Sequence, residues 1–491
     1  MPRTFLFYDF ETDGAQPSVC RPVQFACLRT DTELNPIPGE DGTVLWCRPA
    51  VDRLPAPEAC LVTGITPQQA AARGTSEAEF LHEIHGLMTA PDTTSLGWNS
   101  LRFDDLVCRF GFWRTFHDPY AHGYARGCTA WDLIDLARAA QALRPDGITW
   151  PTREDGAPSF RLEHLTEANG IAHEDAHDAL SDVRATVAFG QLLRAHQGDL
   201  WAWGESLTDT DLVERKLQGP DPLVHVSARI PAQLGCTSPI RVITRHPLNK
   251  RSWICWDLRH DPGPLLEAST EEITRRAFTA EASLPPGESR FALKEIKSNR
   301  SPFIAPAGVL NDADTDRLEL DESTWRRHDA MLTRDPKALA ELQSKLEKVY
   351  ATTPPAATDV DEAIYDNFVP RGDQRVRDRV HRTRPGKLAE LAADFEDPRL
   401  PELLFHYRAR NHPETLDAHE RQEWQERCRN RLLHPPGRDD LAWTEWLSHV
   451  KALATDAGCP ADHRQILKAV EDWGLDLAAS HGLSVESGAR T

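Results

Sequence analysis

Two carboxylates, Asp9 and Glu11, stand one residue apart in Phe5–Gly14 (FLFYDFETDG). The run Phe5-Leu6-Phe7-Tyr8 before them is apolar and rich in β formers, which predicts a strand. On an extended chain, positions i and i+2 face the same side. Both carboxylates would then project together from the end of a buried strand. Two anions held that close repel unless a cation lies between them. The chemistry this points to is a divalent-metal site. The plainer alternative is a solvated acidic strand end before the Asp13-Gly14 turn.

Two further acidic features stand farther along. Asn99–Asp105 (NSLRFDD) places Asp104 at a predicted helix start, and His177–Asp182 (HDALSD) sets a histidine five residues before Asp182. Phosphodiester cleavage needs a metal-held water as nucleophile and neutralisation of charge on the phosphate, which two Mg2+ ions supply together. Mg2+ takes hard oxygen ligands. A histidine, titrating near neutrality, can accept the proton of the attacking water. Taken singly, each residue has a duller reading. Asp104 beside Asp105 could be a helix cap, Asp182 a solvated helix residue, and His177 structural. His164 and His173 compete with it for the role of base. The signal is the ordered set: D-x-E on the first strand, Asp104 about a hundred residues on, then H-x4-D at a late helix.

These residues need elements to hold them. Residues 1–197 read as α/β. Strands are predicted at Pro22–Thr30, Val44–Cys47 and Ser95–Trp98, and helices at Ile65–Ala72, Phe80–Met88, from Asp104 or Asp105 onward, and at Thr129–Leu143. A short helix follows within Pro158–Gly170, and His173–Arg194 reads as a loop entering a long helix. Residues 198–350 change character, with short β-like runs at Leu223–Ser227, Ile240–Thr244 and Trp253–Leu258 and helical stretches at Glu271–Phe278 and Pro336–Tyr350. Ala351–Thr358 (ATTPPAAT) reads as a linker, placed at 351–359. Residues 360–482 are helical in pattern, and no repeat of fixed period is present.

Composition sets the bounds. A chain of 491 residues holds two to four domains. A net charge of −20 argues against a protein that coats nucleic acid by bulk charge, though not against an enzyme with a local basic channel. The ten cysteines are scattered without a CxxC, which suits reduced, structural thiols. No apolar run approaches membrane-spanning length and MPRTFLF is no signal peptide, so a cytoplasmic protein without membrane partners is expected.

The ordered carboxylate set resembles the DEDDh family of 3′→5′ exonucleases. The segments DFET-G, RPVQFACLRTD, LVTGITPQ, WNSLRFDD, WDLIDLARAAQALRPDGITWP, PSFRLEHLTEANGI and AHDALSD are similar to its bacterial exonuclease I subgroup. So are PLVHVS, His246-Pro247, GPLLE and LLFHYRARNHPETL, which extends the likeness over nearly the whole chain. The resemblance implies an α/β ribonuclease H-like exonuclease domain (1–197), a small SH3-like β-barrel domain with appended helices (198–350) and a C-terminal all-α domain (360–482). In that family these close a groove over single-stranded DNA. It implies that Asp9, Glu11 and Asp182 hold the tighter of two Mg2+ ions, with Mn2+ as a substitute. Asp9 would bridge to the second ion, Asp104 would help hold that ion, and His177 would be the general base. Glu11 and Arg161 would meet the terminal nucleotide, and Arg109, Tyr120, Tyr124 and Arg138 would line the DNA path. HGYARG departs from the family pattern at Tyr124. Arg144 would sit in a pocket for the acidic C-terminal tail of single-strand-DNA-binding protein. The run Arg371, Arg375, Arg377, Arg379, Arg382 and Arg384 would line the channel or form a solvated helix face.

The expected function is a monomeric, Mg2+-dependent exodeoxyribonuclease acting on single-stranded DNA from the 3′ end, in DNA repair and recombination. The rivals are an exoribonuclease with the same site and a DNA-binding scaffold with a dead one. A missing metal carboxylate would mark the scaffold, and none of the set is missing.

Overall fold

The computed structural model describes residues 3–173, 178–353 and 355–484. The chain packs as two compact units. The first comprises residues 1–129, 174–184 and 356–491, and the second residues 130–173 and 185–355.

The first unit is built on β1 (Thr4–Thr12), β2 (Pro22–Thr30), β3 (Thr43–Trp46) and β4 (Thr93–Gly97), of a sheet ordered β3-β2-β1-β4-β5. Strand β5 (Thr129–Asp132) begins at the last residue of the unit's leading segment. Strand β1 runs antiparallel to β2 and parallel to β4. Its residues alternate between two covered faces, as a central strand must. Leu6, Tyr8 and Phe10 share a core with Phe25, Phe80, Ile84, Val107 and Phe112. Phe5 and Phe7 are also buried, on the face that Asp9 and Glu11 continue.

Between β3 and β4 lie α1 (Pro57–Thr63), α2 (Pro67–Arg73) and α3 (Glu77–Met88). Local chemistry starts the last two: Thr66 and Ser76 each form a capping box, with Gln69 and Glu79. Phe80, Ile84 and Met88, spaced by four, place the apolar stripe of α3 on the sheet. Helix α4 (Asp104–Arg114) follows β4.

The C-terminal helices of this unit pack on that core. Phe110, Trp113 and Phe116 join Val376, Val380, Leu400, Leu404 and Tyr407 in one cluster, and the Trp113 indole N–H donates to the Val360 carbonyl at 2.7 Å. Leu54 and Cys60 join Leu432, Trp443, Trp446 and Val470 in another.

The second unit begins with a correction. Thr129–Leu143 is not one helix: Thr129–Asp132 is strand β5, and α5 starts at Leu133 and ends at Leu143. Asp132 makes the break by accepting the Ile134 N–H, an N-cap inside an otherwise amphipathic pattern. Helix α6 covers Leu162–Ala168, and α7 (Ala179–His196) starts in the first unit. A second sheet, all antiparallel, has the order β10-β6-β7-β8-β9: β6 (Leu223–Val226), β7 (Thr237–Arg245), β8 (Ser252–Asp257), β9 (Leu293–Lys297) and β10 (Phe303–Pro306). It packs Ile254 and Trp256 against Leu265, Ile273, Trp325, Leu342 and Leu346. All ten cysteines are free thiols, nine of them buried. Among the described residues no helix is long and apolar enough to cross a membrane.

Candidate active site

Asp9, Glu11 and Asp182 come together: one carboxylate oxygen from each lies within 4.8 Å of the other two. Strand β1 supplies the first pair and the first turn of α7 the third. That turn is docked locally. The Ala179 N–H donates to the Gln24 side-chain oxygen on β2 at 3.4 Å, and Arg184 donates to the Asp41 carbonyl. Asp178 caps the helix by accepting the Ser181 N–H at 3.1 Å.

Asp104 arrives by a different device. The paired residues of β1 and β4 run from Thr4/Thr93 to Phe7/Leu96, so the end of β1 reaches past its partner. There the Phe10 N–H donates to Asp104 Oδ1 at 3.1 Å, an anion placed where a strand would otherwise pair. The turn after β4 makes this possible. Asn99 adopts the left-handed conformation (φ 62°), and Asp104 opens α4 one turn later. Gly97 is required beside it, because a Cβ there would lie 2.6 Å from the Tyr8 carbonyl oxygen.

The four carboxylates perturb one another. Burial raises the Asp9 carboxyl well above the usual carboxylate range, and Asp104, Glu11 and Asp182 add to the shift. Glu11, 8 % exposed, is pushed up to about 9, first by burial and then by Asp182, Asp104 and Asp178. An oxygen-only cluster of mutually repelling, desolvated carboxylates fits a hard divalent cation. His177 lies outside the described residues. Of its competitors, His164 bonds the Ser159 hydroxyl through Nδ1 at 2.8 Å and His173 bonds the Thr166 hydroxyl at 3.2 Å.

Asp105 is separated from this cluster although it adjoins Asp104. It is fully buried, with its oxygens 2.8 Å from Arg109 Nε and 2.6 Å from His122 Nε2. The Arg109 guanidinium also lies over the Tyr120 ring, 5.0 Å from its centre. Tyr124 is 64 % exposed, and its hydroxyl donates to Asp118 at 2.5 Å, which with burial pushes the phenol up to about 12. Arg377 is buried, and burial lowers its basicity against the opposing pull of Asp118, Asp378, Tyr120 and Tyr124. The rest of the arginine run, Arg371, Arg375, Arg379, Arg382 and Arg384, is exposed.

In the second unit, Arg161 is exposed at the N-cap position of α6, its Nε 3.6 Å from Glu163. Arg138 is buried, 2.7 Å from Asp135 and 5.7 Å from the centre of the Phe160 ring. Arg144 is half-exposed, bonds Asp314 at 3.1 Å and the Val309 carbonyl at 3.2 Å, and lines a groove of about 530 Å³ with Trp203, Lys216 and Phe303. Sequence reasoning passed over Asp178 and Lys216. The first had a signal, an Asp three residues before Ser181 at a helix entry. The second had none, being one lysine on an amphipathic helix.

Comparison with known proteins identifies the family. Family models match in three consecutive stretches: Exonuclease over residues 6–189, Exonuclease I SH3-like domain over 211–352 and Exonuclease I C-terminal domain over 358–477. The exodeoxyribonuclease I of Escherichia coli (strain K12) is 42 % identical over 430 residues, which are 87 % of this chain and 89 % of that protein. Two solved structures are similar throughout. A zinc-bound E. coli exonuclease I–single-stranded-DNA complex has a TM-score of 0.91 at 37 % identity, covering 97 % of this chain and all of that one. A complex of exonuclease I with SSB-Ct has a TM-score of 0.88 at 37 % identity, with the same coverage. With an α/β exonuclease fold, an SH3-like domain, a helical C-terminal domain and a carboxylate cluster suited to a divalent metal, the chain belongs to the exodeoxyribonuclease I family of nuclease hydrolases.

Proposed function

We propose that the protein degrades single-stranded DNA from its 3′ end, releasing 5′-mononucleotides, in cytoplasmic DNA repair and recombination. The observation that carries this reading is the Asp9–Glu11–Asp182 oxygen cluster, with Asp104 held at its side by the Phe10 N–H. We assign Asp9, Glu11 and Asp182 to one Mg2+ and Asp9 with Asp104 to a second; bound there, the ions supply an activated water and neutralise the phosphate. Strand β1 and the first turn of α7 hold the carboxylates in place before substrate arrives, and burial strengthens their grip on a cation. His177 is assigned as the base that takes the proton of the attacking water. Arg161, exposed on the surface, is assigned to meet a terminal phosphate with a planar, bidentate donor. Arg109, Arg138, Tyr120 and Tyr124 are assigned to line the DNA path, the arginines near phosphates and the tyrosines offering faces on which bases stack. The groove at Arg144 is assigned to the acidic C-terminal tail of single-strand-DNA-binding protein, a reading supported by the similar complex with SSB-Ct. The domain boundaries proposed are 1–197, 198–350 and 360–482.

The test is digestion of matched 5′-labelled single-stranded DNA, duplex DNA and single-stranded RNA, with Mg2+ and with chelator. Progressive shortening of single-stranded DNA alone, stopped by chelator, is expected. Equal shortening of RNA would make the enzyme an exoribonuclease, and DNA binding without shortening would make it a scaffold. Asp9→Ala is expected to lower kcat by about a thousandfold or more, the loss of several kcal/mol of transition-state stabilisation, while DNA binding persists. Preserved Mg2+-dependent cleavage in that variant overturns the site.

A further inference from the structure

We infer that His82, His117 and His381 form a second metal site, for a borderline transition-metal ion of the Zn2+ class, joining the N-terminal part of the first unit to its C-terminal helices. One ring nitrogen from each lies within 4.8 Å of the other two. They come from separate stretches of chain: His82 from the exposed face of α3, His117 from just beyond α4, and His381 from the C-cap of helix Arg371–Val380.

Three observations favour a ligand here. First, His117 is only 7 % exposed, yet its Nε2 has no hydrogen-bond partner among the described residues, and His381 Nε2 has none either. Buried polar atoms are seldom left so. Second, the Phe116 backbone hydrogen-bonds the His381 ring while Nε2 stays orphaned. A metal-ligating imidazole is commonly bonded to the protein through one nitrogen and keeps the other for the ion. Third, burial holds His117 and His381 below the ordinary histidine range, in the neutral form a ligand requires.

The donor set is imidazole nitrogen alone, whereas the catalytic cluster is oxygen alone. Ligand softness therefore separates the two: Mg2+ takes the carboxylates, and Zn2+, Co2+ or Ni2+ the histidines. Three nitrogens leave a fourth tetrahedral position for water. His82, being exposed, gives the ion a way in. The competing arrangement is a metal-free stack, since His117 lies 4.0 Å from His381 and 4.4 Å from His85 with nearly parallel rings. To ligate one ion, His381 must tilt out of that stack.

The test uses the full-length Asp9→Ala protein, stripped with chelator and held in excess Mg2+ to occupy the remaining oxygen sites. Zn2+ is titrated by equilibrium dialysis, and Co2+ is followed by its visible absorption. About one Zn2+ per chain is expected, with the intense absorption of tetrahedral nitrogen-ligated Co2+ and a raised Tm. All three are expected to be lost, with at least about a tenfold fall in Zn2+ affinity, in Asp9→Ala/His82→Gln and in Asp9→Ala/His381→Gln. His82 is on the surface, so its variant keeps the fold, as circular dichroism would verify. Absence of Zn2+ binding to Asp9→Ala, or binding unchanged in both double variants, overturns the site and leaves a histidine stack.

Discussion

Adjacent aspartates do opposite work in this protein. Asp104 stands among carboxylates and is held by a backbone N–H, whereas Asp105 is closed in by Arg109 and His122. Their asparagine variants should therefore part company. Asp104→Asn can still accept from the Phe10 N–H and removes a repelling charge, so the metal-free protein is expected to gain roughly 1 kcal/mol while activity falls. Asp105→Asn leaves a buried guanidinium short of its counter-ion and is expected to lose about 3 kcal/mol or more. Urea unfolding in chelator distinguishes them, and equal effects would refute the division of roles. Glu11 adds a pH dependence. Its folded value of about 9 stands above the ordinary 4.5, so between the two the folded state keeps a proton the unfolded chain has released. Its contribution is fully present below about pH 4.5 and is lost as pH rises toward about 9. Without metal, Tm is expected to fall across that window, and less so in Glu11→Gln. A slope that is the same in both proteins would remove Glu11 as its source.

At the scale of elements, the site depends on how two strands of unequal reach meet. Strand β1 outruns β4, and the turn after β4 returns Asp104 to the uncovered backbone. Gly97 is the tightest point in that arrangement. Gly97→Ala sets a methyl group against the Tyr8 carbonyl and is expected to cost about 1–3 kcal/mol. The shift of β4 should also lower kcat, because Asp104 moves with it. Wild-type stability and rate in that variant would show that the turn yields to a methyl group without moving Asp104. Two strands that periodicity missed have a common cause. Strands β9 (LKEIK) and β10 (FIAP) are the two edges of the second sheet, and edge strands are short, charged or proline-bearing by necessity. The split of Thr129–Leu143 has another: the stretch is amphipathic throughout, and only the Asp132 cap marks where the strand gives way to helix.

At the scale of the molecule, the C-terminal helices are tied into the exonuclease core of the first unit by buried ion pairs. Arg410 pairs with both Asp52 and Asp361, Arg21 lies 3.4 Å from Asp361, and Arg53 bridges Asp13 and Asp440. Burial alone would raise the Asp361 carboxyl, but Arg410 and His406 hold it well below the usual range. Asp361→Asn would leave Arg410 with Asp52 as its remaining counter-ion and take from Arg21 its aspartate partner, and is expected to lower stability by about 3 kcal/mol, with little sensitivity to salt. A loss confined to low ionic strength would mean that solvent reaches the pair. A net charge of −20 gives no hint of this network, since its arginines are drawn from distant segments and neutralised inside.

The sequence by itself determined the strand that carries Asp9 and Glu11, the helix entries that carry Asp104 and Asp182, and the order in which they occur. Those are local matters, set by period-2 and period-3.6 patterning and by caps, all readable over a few residues. It also carried the family, because the motifs are dense and run nearly end to end. Only the tertiary structure decided that Asp105 is closed in by Arg109 and His122, that Arg138 and Arg109 are ion-paired inside, and that three histidines from separate segments converge. Each of these turns on side chains far apart in sequence meeting at low dielectric. No spacing rule encodes that meeting, because burial sets the energy of each charge and burial belongs to the folded chain.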